Sequence, residues 1–253
     1  MIKFNPRIIG SIIVKNGLVC QSYKFSRYNP VGTIEKTSQY YLDWGVDEIM
    51  IINIDGKMID LKSLEKNIKN INIPVCYGGG ISNVTDAKRL LEVGIDKISL
   101  NNLAINKTVE IKKFVNLFGS QFLCASIDLK KVKNNYYIYC SKKKKILKIN
   151  PYKLLDLLKK IGIGEIMFKS VDLDGTQKGY DKNIIKIFGN KTKLPFLISG
   201  GSNLTKETIN LALKYKFNPV LGNVLLHHEN SVVYLKEGIF NKTGFKRPNK
   251  FFN

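Results

Sequence analysis

Two glycine clusters stand where a phosphate could be held. Gly78-Gly79-Gly80 follows the apolar run Ile73–Tyr77 and precedes a helical pattern, and Ser199-Gly200-Gly201 follows Leu194–Ile198 and precedes another. Glycine lets backbone N–H groups approach an anion closely, and a helix N-terminus adds a favourable dipole. The same glycines would also serve as tight turns between strand and helix, and that plainer reading stands beside the first. A second set of residues is charged. Arg7, Glu48, Lys97 and Glu165 each stand at the start of a run that reads as a strand. Four such residues can form a salt-bridge cluster that ties the strand ends together. His227 and His228 have no further His or Cys at metal-ligand spacing and read as surface or capping residues. Cys20, Cys76, Cys124 and Cys140 are scattered without a C-x-x-C, and two fall inside apolar runs. This predicts reduced, buried thiols in a cytosolic protein rather than a disulfide frame or a zinc site.

The elements that would position these residues alternate along the chain. Short, nearly continuous apolar runs read as buried parallel strands at Ile8–Val14, Glu48–Ile54, Ile73–Tyr77, Lys97–Leu100, Phe122–Ile127, Glu165–Phe168, Leu194–Ile198 and Pro219–Leu221. Amphipathic segments lie between them. Asn83 is an N-cap for a helix carrying Val84, Ala87, Leu90 and Leu91, which Gly94 closes; Asn150-Pro151 opens another that Gly162 ends. Eight β–α units in 253 residues predict an α/β fold, the closed (β/α)8 TIM barrel, as one domain over 1–253. Segment 130–149, with Tyr136-Tyr137-Ile138-Tyr139 and the Lys142–Lys145 run, predicts a β-hairpin inserted after strand five. The tail, about 240–253, with Phe245, Phe251 and Phe252, is expected to pack on the barrel exterior or on a partner.

The halves also resemble one another. The stretches beginning at Gly45, Ile73 and Leu100 recur in the same order at Gly162, Leu194 and Leu221. Three matches in order predict two fused half-barrels. A two-fold barrel places equivalent sites on opposite sides of one mouth, so two phosphate sites would suit a long substrate with a phosphate at each end.

The net charge of +21, from 41 basic and 20 acidic residues, raises nucleic acid as a partner. Only Arg7, Arg27, Arg89 and Arg247 are arginine, the residue favoured for phosphate and base recognition, so the composition argues against it and for a lysine-coated surface. No run of about 18 apolar residues could span a membrane, and the N-terminus reads as carrying no secretory signal.

The sequence resembles the HisF family, the cyclase subunit of imidazole glycerol phosphate synthase. The resemblance lies in Arg7-Ile8-Ile9, Val46-Asp47-Glu48, Ile73-Pro74 with Gly78-Gly79-Gly80-Ile81, Asp96-Lys97-Ile98-Ser99, Phe118-Gly119-Ser120-Gln121, Ser199-Gly200-Gly201 and the stretch Asp172-Leu173-Asp174-Gly175-Thr176 with Gly179-Tyr180-Asp181. It implies the two-fold barrel already read from the pattern. It also implies a HisH-like glutaminase partner whose ammonia enters at the bottom of the barrel and crosses to the top. Arg7, Glu48, Lys97 and Glu165 then become an ammonia gate, and Asp96 and Gln121 the partner interface. Gly80, Asn101 and Asn102 would line one phosphate site, and Gly175, Gly201, Gly222 and Asn223 the other, with Asn102 and Asn223 replacing hydroxyl-type residues of the family. No metal or cofactor is implied.

The chain departs from the family at the chemistry. HisF uses two aspartates as general acid and base, at the ends of strands one and five. Asp128 keeps the second, but Ile13 stands at the first, Gln21 replaces a lysine, and Lys169 replaces a small hydroxyl residue. A second resemblance, to HisF-like paralogues of surface-polysaccharide and nonulosonic acid gene clusters, lies in Lys15-Asn16-Gly17-Leu18-Val19-Cys20, Tyr23-Lys24-Phe25, Arg27-Tyr28 and Val31-Gly32. It implies a barrel that supplies ammonia while an ATP-dependent sugar amidotransferase activates an acetamido group on a phosphorylated or nucleotide-linked sugar, giving an acetamidino sugar. The alternatives are an authentic cyclase of histidine biosynthesis and a non-catalytic phosphosugar-binding barrel.

Overall fold

The computed structural model describes residues 4–245 and 247. Eight parallel strands, called one to eight here, run at Ile9–Lys15, Glu48–Asn53, Val75–Gly78, Lys97–Leu100, Leu123–Val132, Glu165–Ser170, Phe196–Ser199 and Phe217–Leu221. Each pairs with the next, and strand one closes on strand eight through Ile9 opposite Val220 and Gly10 opposite Leu221. The result is the closed (β/α)8 barrel.

Helix boundaries follow the capping chemistry. Asn83 accepts from the Asp86 N–H while Asp86 accepts from the Asn83 N–H, a reciprocal cap on Val84–Glu92. Asn150 accepts from the Tyr152 and Lys153 N–H groups ahead of Pro151, and Gly162 ends Pro151–Ile161 in the left-handed conformation.

Alternation along each strand sorts side chains into two cores. One set faces the helices and forms the larger core, with Ile8, Ile49, Tyr77, Ile98 and Phe168 among its members. The other set faces the barrel axis: Ile9, Met50, Cys76, Cys124, Met167, Leu197 and Val220 pack together inside. Two residues beyond the cluster on strands five and seven, and at the cluster's own level on strand four, the inward positions are the buried serines Ser126, Ser199 and Ser99. The interior therefore passes from apolar to hydroxyl-lined toward the C-terminal ends of the strands. All four cysteines are buried and free.

Two antiparallel excursions rise at the C-terminal side. Strand five runs on beyond the barrel and pairs with Asn135–Cys140, which pairs in turn with Lys145–Ile146. The other was not read from the sequence. Strand one continues through Asn16-Gly17 into Leu18–Tyr23, and this strand pairs with Arg27–Gly32. Asn16 and Gly17 both have positive φ, 50° and 76°. That is the two-residue turn for which Asn-Gly is the strongest hairpin signal.

The expected tail also begins later than its residues suggested. Phe240 belongs to the helix Ser231–Thr243, and both Phe240 and Phe245 are exposed. Phe251 and Phe252 lie outside the described residues. No helix among the described residues is long and apolar enough to cross a membrane.

Gly10 sits where strand one meets the fully buried Tyr41 of helix Ile34–Asp43. A methyl group there would lie 2.5 Å from the Tyr41 ring. Gly10→Ala is expected to cost about 1–3 kcal/mol by overpacking, read as a lower denaturation midpoint with an unchanged slope. A midpoint equal to wild type would show that the Tyr41 ring yields freely.

Candidate functional site

The floor of the barrel holds four charges in a closed ring. Arg7 donates to Glu48 at 2.8 Å and to Glu165 at 2.5 Å; Lys97 donates to the same two carboxylates at 2.9 and 3.2 Å. The four residues come from the starts of strands one, two, four and six, so only the N-terminal end of the barrel can bring them together. Side-chain exposure falls from 22% for Arg7 to 1% for Glu48, so Glu48 is the innermost member. Burial pushes the Glu48 carboxyl above the ordinary carboxylate range, although Lys97 and Arg7 pull against it. Burial alone would lower Lys97; Glu48 and Glu165 outweigh it and raise the ammonium above its ordinary value.

Neighbouring contacts stiffen this end. Asp47 accepts from the Ile8 N–H at 2.7 Å and holds Lys236 of the last helix at 2.7 Å, both side chains almost buried. Asp96 accepts from the Val75 N–H at 2.8 Å. Asp96 lies one residue before strand four and Gln121 two before strand five, and both are exposed on the floor side.

The opposite end is built around Asp128, which is 6% exposed. Asn101 donates one amide to both the Ser126 carbonyl, at 2.9 Å, and the Asp128 carboxylate, at 3.1 Å. Burial pushes Asp128 up to about 6, against the pull of Lys169. Lys169 is the register partner of Asp128 on strand six. Its ammonium lies 3.2 Å from Asp174 and 4.5 Å from the centre of the Phe25 ring. Asp174 in turn accepts from the Ser22 hydroxyl, and its carbonyl accepts from the Lys24 N–H at 3.0 Å. Ile13 lines the cleft beside them with an apolar side chain.

The strand-one hairpin lies across this mouth. Asn223 clasps its backbone, accepting from the Ser22 N–H at 3.3 Å and donating to the Ser22 carbonyl at 2.8 Å. Gln21 and His227 bring their side-chain nitrogens to 3.0 Å. Phe25 meets Tyr139 of the strand-five excursion edge to face, with centroids 6.3 Å apart. Ser22 and this clasp were missed from sequence because partners some 200 positions apart leave no local pattern.

The candidate phosphate residues divide. Gly175, Gly201, Gly222 and Asn223 line one cleft together with Ser22, Lys169 and Asp174. Gly80, Asn101 and Asn102 lie outside that lining. Asn101 is turned to Asp128, and Asn102 accepts from Asn106 on its own short helix at 2.5 Å. Close packing accounts for three of the glycines. A Cβ at Gly80 would lie 2.1 Å from the Lys57 backbone, at Gly175 2.0 Å from the Ser22 carbonyl, and at Gly201 2.3 Å from the Gly179 carbonyl. All three also have positive φ. Gly222 alone of the four opens into space.

The Asp128 environment sets a pH-dependent stability. A carboxyl raised from 3.8 to about 6 in the folded state binds its proton more tightly than the unfolded chain does. The folded protein therefore gives up stability as pH rises from the ordinary carboxylate range through about 6. Two units correspond to about 3 kcal/mol. Asp128→Asn is expected to be more stable than wild type at pH 8, by about 2–3 kcal/mol, and to match it at pH 4. Denaturation of both proteins at the two pH values checks this; an equal difference at both would mean that Asp128 does not titrate in this window.

Comparison with known proteins places the chain. The histidine biosynthesis protein family matches residues 7–231. A Campylobacter jejuni protein named as the hisF2 subunit of imidazole glycerol phosphate synthase is 34% identical over 224 residues, covering 87% of this chain and 89% of its own. The HisF subunit of Natranaerobius thermophilus is 33% identical over 244 residues, covering 93% and 96%. A hisF2-named protein of Vibrio vulnificus is 30% identical over 237 residues, covering 91% and 86%.

Proposed function

The chain belongs to the histidine biosynthesis protein family as a HisF-type barrel, and from that premise we propose that it receives ammonia from a HisH-like glutaminase at its floor and delivers it at its mouth for the amidination of a sugar, acetamido to acetamidino, in surface-glycan synthesis. The observation that carries the reading is the contrast between the two ends. The floor keeps a complete ring of four charges, whereas the mouth keeps Asp128 and sets Ile13 on the opposite strand. Ammonia entry gives the first a role beyond tying strand ends together. A barrel still performing two-carboxylate acid–base chemistry would not have given up the second.

In this reading ammonia leaves the apolar layer of Ile9, Cys76, Cys124 and Leu197, passes the serine positions, and emerges beside Asp128. A partner that consumes ATP makes the acetamido carbon electrophilic. Ammonia attacks that carbon, the activated oxygen departs as the leaving group, and the new C–N bond leaves an extra proton on nitrogen. Asp128, with its carboxyl near 6, can accept that proton at neutral pH and release it to solvent. Lys169, fixed by Asp174 and Phe25, supplies a positive charge to an anionic sugar at the cleft of Gly201 and Gly222.

The test is reconstitution with the glutaminase and the ATP-dependent partner, an acetamido sugar nucleotide and glutamine labelled with nitrogen-15 in its amide. The expected result is labelled acetamidino sugar that requires all three proteins. The second reading, a histidine-pathway cyclase, is favoured by the HisF subunit of Natranaerobius thermophilus, almost as similar as the hisF2-named protein of Campylobacter jejuni. Formation of imidazole glycerol phosphate at a cyclase's rate would establish it instead.

A further inference from the structure

The two carboxylates of the floor ring are used differently. Glu165 gives one oxygen to Arg7 and the other to Lys97. Glu48 places both cations on a single oxygen, Oε2, at 2.8 and 2.9 Å. Its other oxygen, Oε1, is buried and has no hydrogen-bond partner among the described residues. Leaving a buried acceptor unpaired costs about 1–3 kcal/mol, more for a charged group. With both cations on Oε2, Oε1 is left able to accept from a donor that enters the ring. Glu48 stands two residues before Met50, a member of the interior cluster, so the free oxygen lies at the step from the ring to the apolar interior.

We propose that Glu48 is the base of the barrel floor: its Oε1 takes one proton from an ammonium ion that has entered the ring, so that neutral ammonia crosses the interior. The proposal rests on the ammonia-delivery reading. An ammonium ion cannot go further as an ion. The layer ahead carries no charge to pair with it, because burial holds the Cys76 and Cys124 thiols well above their ordinary value and therefore neutral, and an unpaired ion in such surroundings is prohibitively costly. Arg7 and Lys97 also repel it. In the step, an N–H bond breaks and an O–H bond forms on Oε1. The electron pair stays on nitrogen, ammonia moves inward, and the proton returns to water on the floor side before the next cycle. The groups facing Glu48 are Arg7, Lys97, Glu165, Cys76 and Cys124, and its raised carboxyl suits a proton acceptor. Asp47, its chain neighbour, is occupied by Lys236 and the Ile8 N–H.

The experiment uses the complex with the glutaminase turning over amide-labelled glutamine in excess unlabelled ammonium chloride. The readout is coupling, the labelled nitrogen found in product per glutamine hydrolysed, as a function of pH. For Glu48→Gln, coupling is expected to fall at least about a hundredfold at neutral pH, the lower end of the range for loss of a proton-transfer group. It should recover as pH approaches the ammonium ion's own pKa, where no base is needed. Glu48→Asp should retain more neutral-pH coupling than Glu48→Gln. Glu165→Gln removes the same charge from the same ring and should show no such recovery. Wild-type coupling at every pH in Glu48→Gln, or the same recovery in Glu165→Gln, overturns the proposal. Should Glu48→Gln not fold, the unmodified complex serves. Its coupling should drop on acidification with a midpoint above the ordinary carboxylate range, and coupling that holds down into that range overturns the proposal. Lys97→Ala separates the two ideas. If it uncouples the complex and Glu48→Gln does not, only this proposal fails; if neither has any effect, the ammonia-delivery reading fails with it.

Discussion

A strain that lacks its histidine-pathway cyclase stays unable to grow without histidine when this chain is the only barrel supplied. The reason is Ile13. It sits on strand one beside the mouth, 8% exposed, with its backbone held between Ile52 and Cys20. Its side chain can neither donate nor accept a proton, and none of the charged groups nearby is free to replace it. Lys169 and Asp174 are paired with each other, and Asp174 also holds Ser22. Losing one of two proton-transfer groups typically costs about 10²–10⁴-fold in rate. Purified barrel supplied with external ammonium salt should therefore form imidazole glycerol phosphate at least about a hundredfold more slowly than a HisF cyclase assayed beside it. Growth at the rate of the parental strain would sink this expectation and return the chain to the histidine pathway. A parallel arm supplies Ile13→Asp: any gain over the unmodified chain would locate the deficit at this position.

The barrel was legible because its signals are local. Asn83, Gly94, Asn150 and Gly162 each act within a few residues of where they stand. The apolar run of strand five predicts an end at Ile127 instead of Val132, because its apolar continuity stops where the chain leaves the barrel, with Lys130 half-buried and Lys131 exposed. The hairpin after strand one carried an Asn-Gly turn but was masked by Arg27–Gly32, an edge strand that is mostly exposed and contains Pro30. The site divides along the same line. Arg7, Glu48, Lys97 and Glu165 could be placed together because each marks a strand start, and strand starts meet at one end of a parallel barrel. The unequal use of Glu48 and Glu165 is a matter of which oxygen meets which nitrogen, and no residue pattern encodes it. The clasp of Asn223 on Ser22 is likewise a contact between two loops whose residue types would suit many other roles.

Lys97→Ala is expected to uncouple glutamine hydrolysis from product formation, and Asp96→Lys to prevent docking of the glutaminase. Lys97 closes the ring by bridging Glu48 and Glu165, at 2.9 and 3.2 Å. Its flexible four-carbon stem makes it the member best able to swing aside, whereas Arg7 is fixed by a planar fork on the same two carboxylates. Removing Lys97 leaves two buried carboxylates facing only Arg7, so the ring loses both its closure and its charge balance. Labelled nitrogen should then escape to bulk, and product should depend on added ammonium salt. Asp96 sits outside the ring. It accepts from the Val75 N–H while its side chain remains exposed on the floor, so a lysine there reverses one charge on the proposed docking face and gives up that one backbone contact, with the ring left intact. A like-charge contact across an interface costs several kcal/mol, enough to lower recovery of the complex in co-purification by well over tenfold. A complex indifferent to both changes would leave Arg7, Glu48, Lys97 and Glu165 as a salt-bridge cluster that ties four strand ends together, and the charged floor would need no ammonia to explain it.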